Sequence, residues 1–157
     1  MRRLKDAGIK FTYKIAGTGA MEEELRFAIY DLGLEDCVQL VGKLKHEEVF
    51  DFLKAADVYI LPSVQEGFCN ALLEAQGTGL LCIASDAGGL PENVLDGETG
   101  WIVPRRDHLA LVAKITEVIS LPLEEKNSIR LKAVARIREE FKLERLIGEF
   151  QAFYNTN

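Results

Sequence analysis

The sequence has no apolar run near the roughly 20 residues that a bilayer-crossing helix needs. Its opening, Met1-Arg2-Arg3-Leu4-Lys5-Asp6, has no apolar stretch behind the charges, so neither a transmembrane segment nor a signal peptide is expected. Basic charge is scarce. The 19 Lys and Arg are outnumbered by 25 Asp and Glu among 157 residues, a net charge of −6. A nucleic-acid partner needs a basic face, so none is expected. Cysteine is sparse and odd in number: Cys37, Cys69 and Cys82 are far apart and each lies beside apolar residues. This suits buried free thiols in a reducing, cytoplasmic compartment better than a disulfide frame or a zinc site. The two histidines, His46 and His108, have no partner in sequence for metal or nucleophilic chemistry and read as surface or turn residues. No Asp-x-Asp occurs, so a metal bridging a diphosphate would have no obvious ligands.

What remains is a chain 48% hydrophobic with its apolar residues spread evenly, enough for one folded domain over 1–157. Short runs rich in β-branched and aromatic residues alternate with stretches of helical period. Strands are expected at 11–16, 37–41, 58–61, 80–84 and 101–103. Helices are expected at 46–56 and 68–76, and after Met21 with the stripe Met21, Leu25, Ala28, Ile29 and Leu32 closed by Gly33. The helix at 46–56 would turn Val49, Phe50, Leu53 and Ala56 inward. Asp107 can cap a helix with Leu109, Val112, Ala113, Thr116 and Ile119 on one face. Two more helices follow, the last carrying Leu143, Leu146, Ile147, Phe150, Phe153 and Tyr154. This alternation implies right-handed crossovers and a Rossmann-like, doubly wound, mainly parallel sheet in one α/β domain. Ligands of such sheets bind beyond the carboxyl ends of the strands.

Three of those turns carry candidate chemistry. Gly17-Thr18-Gly19 begins like a dinucleotide fingerprint, but Glu22 stands where the third glycine belongs. The next strand also ends without the acidic residue that would hold a ribose. Gly17 and Gly19 then read as a tight turn that could still let a ligand approach the backbone. The turn after residue 61 is more specific: Glu66-Gly67-Phe68-Cys69-Asn70-Ala71, with Glu74 one helical turn beyond Asn70. Gly67 permits an unusual backbone angle just before a helix, and the amides of Cys69 to Leu72 would face the crevice, where the positive end of the helix dipole favours a diphosphate. Carboxylates beside an anion make sense as acceptors for neutral hydroxyls, hexose on one side and ribose on the other. Glu66 alone could simply be solvated; Glu74, set among Leu72, Leu73 and Ala75, fits that reading less well. In the third turn, Ser85 to Glu92, Gly88-Gly89 would let a ligand close to the backbone or serve as a plain connection.

Glu66-Gly67-Phe68, Glu74, Gly79, Ser85-Asp86, Gly88-Gly89-Leu90-Pro91-Glu92 and Asp96-Gly97-Glu98-Thr99-Gly100-Trp101-Ile102-Val103-Pro104 occur in the order and combination that resembles the donor-binding C-terminal domain of GT-B glycosyltransferases. The closest group is the retaining group 1 enzymes of family four. The resemblance spans nearly the whole chain. It implies a hexosyltransferase, acting without metal or other cofactor, that uses a nucleoside-diphosphate sugar in glycan or polysaccharide synthesis. By the resemblance Glu66 is the catalytic residue and holds donor-sugar hydroxyls. The amides from Gly67 through Phe68, Cys69 and Asn70 to Ala71 hold sugar and diphosphate, Glu74 binds ribose, and Lys43 and Leu44 after Gly42 meet the base.

The sequence departs from the family pattern at Leu81, where proline is usual, and in the loop Gly77-Thr78-Gly79. The family's N-terminal acceptor domain and its Arg and Lys-Gly pair do not occur before Phe11, and Arg2, Arg3 and Lys5 are wrongly spaced to replace that pair. The expected partner is therefore a missing acceptor-binding domain, through which any peripheral membrane association would also run. The chain alone would be inactive or nearly so. The competing reading is a non-catalytic nucleotide-binding module that docks a partner domain through Phe150, Phe153 and Tyr154 of the C-terminal helix.

Overall fold

A computed structural model describes residues 1–141. The expected final helix, with Leu143, Leu146, Ile147, Phe150, Phe153 and Tyr154, lies outside the described residues. The elements alternate as the hydrophobic periods require: α1 (Arg2–Asp6), β1 (Tyr13–Ala16), α2 (Glu22–Asp31), β2 (Val38–Gly42), α3 (His46–Lys54), β3 (Val58–Leu61), α4 (Asn70–Gly77), β4 (Leu81–Ser85), α5 (Leu90–Asn93), β5 (Trp101–Val103), α6 (His108–Ser120) and α7 (Leu123–Glu140). Every strand pair is parallel. The strands are hydrogen-bonded in two groups, β1-β2 and β3-β4-β5. The chain divides into two compact units, Met1–Val49 and Phe50–Asn157.

In the first unit β1 pairs with β2 from Tyr13 opposite Val38 to Ala16 opposite Gly42. Leu34, Cys37 and Val38 form its buried cluster, with Phe11, Tyr13, Ile15 and Ile29 packed against them. Burial raises the Tyr13 phenol above its ordinary pKa. Gly33 ends α2 at φ +58, a left-handed stop that glycine adopts without penalty. The α2 stripe is only partly inward: Met21, Leu25 and Leu32 are exposed, and Ile29 makes the core contact. Helix α1 carries no signal in the sequence, because five residues show no periodicity. Its Lys5 Nζ donates to the Gly33 carbonyl at 2.7 Å and Asp36 Oδ1 at 2.6 Å, and Arg2 donates to the Leu32 carbonyl at 3.0 Å. Cations at a helix C-terminus satisfy orphan carbonyls and oppose the dipole.

In the second unit β4 is central and all five of its residues are buried. Fully burying each large aliphatic side chain contributes about 1.5–3 kcal/mol, so Leu81 and Ile83 anchor this sheet. Leu81, the departure from proline, pairs with Val58 and is buried, so its N–H and side chain are both accommodated in a strand. Helix α4 packs on α7 and on β3 and β4. It closes through Gly77 beside Ile137 and Gly79 at φ +83.

Two helix faces differ from expectation. α6 buries Ile115 and Val118, with Leu109, Ala113, Thr116 and Ile119 exposed. Its true stripe is Leu111, Ile115 and Val118, one position off the competing apolar series that an Ala- and Val-rich helix also offers. In α3 Leu53 is buried, but Phe50 is 55% exposed and Ala56 is exposed. The Lys54 ammonium lies 4.8 Å from the Phe50 ring centroid, a contact that suits an aromatic at the surface.

Candidate functional site

The site is built from the second unit upward. β3 ends at Leu61, and the loop from Pro62 to Cys69 carries the chain to α4. Ser63 lies on this loop; its Oγ donates to Glu66 Oε2 at 3.2 Å, and its carbonyl accepts a hydrogen bond from Ser85 Oγ at the end of β4. Two serines at neighbouring strand ends thus fix the half-buried Glu66 carboxylate relative to the sheet. Ser63 was not singled out from sequence, although Ser three residues before Glu is a spacing that permits this contact.

Gly67 permits an unusual backbone angle but is not among the glycines with positive φ. A Cβ there would meet nothing within 4 Å, so the glycine leaves open space in front of its peptide rather than enabling a turn. The special angle belongs to Gly88, at φ +51. A Cβ at Gly88 would overlap the Glu66 carbonyl oxygen, and one at Gly89 would lie 3.0 Å from the Gly67 carbonyl oxygen. The Gly89 N–H donates to the Glu66 carbonyl at 3.3 Å. The close approach that Gly88-Gly89 allows is therefore to the Glu66-Gly67 backbone.

At the start of α4 the amides are used unequally. Cys69 N–H donates to Asn93 Oδ1 at 3.2 Å. Leu72 and Leu73 N–H both donate to the Cys69 carbonyl, at 3.2 and 3.3 Å. Among the described residues, Asn70 and Ala71 N–H meet no acceptor, and both residues are exposed. Of the four amides from Cys69 to Leu72, two are thus bare. The start of an eight-residue helix with two free N–H groups can accept an anion's oxygens.

Glu74 is exposed, because Leu72 and Ala75 take the inward-facing positions of α4. Among the described residues, nothing pairs with its carboxylate. Phe68 is half exposed and its ring lies 5.7 Å from that of Phe141, just past the end of α7. Cys69 is half-buried, whereas Cys37 and Cys82 are buried and burial pushes both thiols upward in pKa.

A small cavity of about 140 Å³ opens beyond β3 and β5, lined among others by Pro62, Ser85, Arg105, Arg106 and the exposed His108. Asp86 Oδ1 accepts the Arg105 N–H at 2.8 Å. The Asp96 to Gly100 motif is structural here. Asp96 Oδ1 accepts from Ile102 N–H at 2.9 Å, Thr99 Oγ1 accepts from Leu95 N–H at 3.0 Å, and a Cβ on Gly100 would lie 2.7 Å from the Cys82 carbonyl oxygen.

In the first unit, Gly17 has φ +127 and Gly42 φ +71. Gly17 N–H donates to the Gly42 carbonyl at 2.8 Å, joining the turns that follow β1 and β2. A Cβ on Gly19 would meet nothing within 4 Å. Lys43 is exposed and Leu44 half-buried. Among the described residues no helix is long and apolar enough to cross a membrane.

The sequence profile described as "Glycosyl transferases group 1" matches residues 1–138. An amylovoran biosynthesis glycosyltransferase of Erwinia amylovora, AmsK, is 38% identical over 146 residues, which is 89% of this chain and 36% of AmsK. Sucrose-phosphate synthase from Thermosynechococcus elongatus superposes with a TM-score of 0.81 at 26% identity, covering 91% of this chain and 37% of that one. Anabaena HepE, solved with UDP, shares the fold with a TM-score of 0.85 at 22% identity, over 94% of this chain and 41% of HepE. The chain thus spans about two fifths of the length of AmsK, sucrose-phosphate synthase and HepE. With its parallel α/β architecture and a profile match over nearly its entire length, this chain belongs to the group 1 glycosyl transferases and has the Rossmann-like C-terminal fold of the GT-B type.

Proposed function

We propose that this chain is the donor-binding domain of a retaining hexosyltransferase that takes a nucleoside-diphosphate sugar. The observation that carries the reading is the pair of bare amides, Asn70 and Ala71, opening α4 between the oriented Glu66 and the exposed Glu74. The diphosphate lies on these amides, where the helix dipole stabilises the charge that develops as the sugar–phosphate bond breaks. Glu66 accepts hydrogen bonds from sugar hydroxyls, its carboxylate held by Ser63. Glu74 accepts those of ribose. No metal takes part, since amide donors supply the stabilisation. HepE, solved with UDP, lends support through its shared fold alone.

The acceptor is bound by a separate domain of the kind that the remaining three fifths of the relatives' length could supply. The 157 residues by themselves then bind the nucleotide weakly and transfer little sugar, in the cytoplasm, toward polysaccharide assembly. Thermal unfolding with UDP, GDP, ADP and NAD tests the reading, since a ligand specific to the folded state raises the midpoint by mass action. UDP or GDP should raise it, with or without EDTA. A rise with NAD alone, or with no nucleotide at millimolar concentration, would overturn it.

A further inference from the structure

Asn93, the last residue of α5, is fully buried in an apolar core, an expensive place for an amide. Its Oδ1 takes the Cys69 N–H, which caps α4 from a different helix, and Cys69 itself provides no side-chain cap. Its backbone carbonyl accepts from Gln76 Nε2 at 2.9 Å and from Arg136 Nη1 at 2.8 Å. Arg136 also donates to the Glu92 carbonyl at 2.9 Å and pairs with Glu140 at 2.7 Å. Three helices, α4, α5 and α7, therefore meet at one residue. Among the described residues, the arrangement leaves Asn93 Nδ2 and Gln76 Oε1 buried with no hydrogen-bond partner. Unsatisfied atoms of that kind destabilise, and an apolar pair of the same shape would avoid them. Stability alone does not account for Asn93.

We propose that Asn93 is a positioning residue. By holding the Cys69 amide it fixes the angle at which α4 opens, so that the next two amides, Asn70 and Ala71, stay bare and aligned, and Arg136 holds Asn93 in place. This rests on the donor-site reading above, in which those two amides carry the diphosphate.

The test uses the near-isosteric Asn93→Leu and, in case that variant does not fold, Arg136→Lys, which keeps the charge but loses the planar fork. Three quantities are read: the thermal midpoint, amide shifts and hydrogen exchange of Cys69, Asn70 and Ala71 by NMR, and affinity for UDP against uridine. Asn93→Leu should lower the midpoint modestly, as loss of a helix cap does, lose protection at Cys69 and shift the Asn70 and Ala71 amides. UDP affinity should fall by about 3- to 10-fold, the worth of one hydrogen bond, while uridine affinity holds. Arg136→Lys should move the same readouts less. Equal losses for UDP and uridine, following the midpoint, would mark a merely structural role and overturn the proposal, as would unchanged amides. Should the parent protein bind no nucleoside diphosphate, the donor-site reading falls, and the positioning role is decided by the three amides alone.

Discussion

At Gly88 a single hydrogen atom decides the geometry of its neighbour. Gly88→Ala must leave the left-handed backbone or suffer about 1–2 kcal/mol of strain, and it must also displace the Glu66 carbonyl. We expect a loss of at least that size in urea unfolding, together with weaker binding of a nucleotide sugar. Glu74→Ala, on an exposed position, should leave the midpoint unchanged and weaken UDP by about 1–3 kcal/mol if two ribose hydroxyls lose their acceptor. Calorimetric titration checks it. The three thiols should also separate. Half-buried Cys69 should react with a disulfide reagent in the native protein, whereas Cys37 and Cys82, buried and raised in pKa, should react only on unfolding.

Among the elements, α6 shows most directly how capping and periodicity differ as signals. Asp107 Oδ1 accepts both the Leu109 and Ala110 amides, at 3.0 and 2.9 Å, as the sequence implied. Asp107→Ala should cost about 1 kcal/mol, measurable as a lower thermal midpoint. The cap was legible because an N-cap needs only its own side chain and the amides two and three residues further on. The buried face was not, because Leu109, Leu111, Val112, Ile115, Val118 and Ile119 supply two overlapping stripes, and only packing on β4 and β5 selects between them. The strands at Val58 and Trp101 were readable to the residue because continuous apolar runs bounded by turn residues admit little else. At the site, Glu66, Gly67 and the opening of α4 could be read from local order. Asn93, Gln76 and Arg136 could not, since nothing in a sequence marks contacts 17 to 43 residues apart.

Over the whole molecule, the family was legible because its motifs sit at the strand ends, where the fold leaves little freedom. The grouping of strands into a pair and a triplet was not, since hydrogen-bonding between neighbouring strands depends on packing that periodicity does not encode. Acid stability follows from the first unit. The hydrogen bond from Lys5 holds the Asp36 carboxyl below the ordinary carboxylate range. A pKa lowered on folding contributes stability that is present above the unfolded value and lost as pH falls through the folded one. Asp36→Asn should therefore lower the midpoint at neutral pH, and the gap from the parent should close below about pH 4, once carboxylates protonate. Thermal scans across that range read it directly.

The interlock between residues 66–67 and 88–89 also bears on redesign. A library that randomises 88 and 89 to alter sugar preference would first dislodge the peptide carrying Glu66, and would return mostly damaged scaffolds before any new selectivity. Diversity placed at Val64 and Gln65, exposed and just ahead of Glu66 in the same loop, would leave that joint whole.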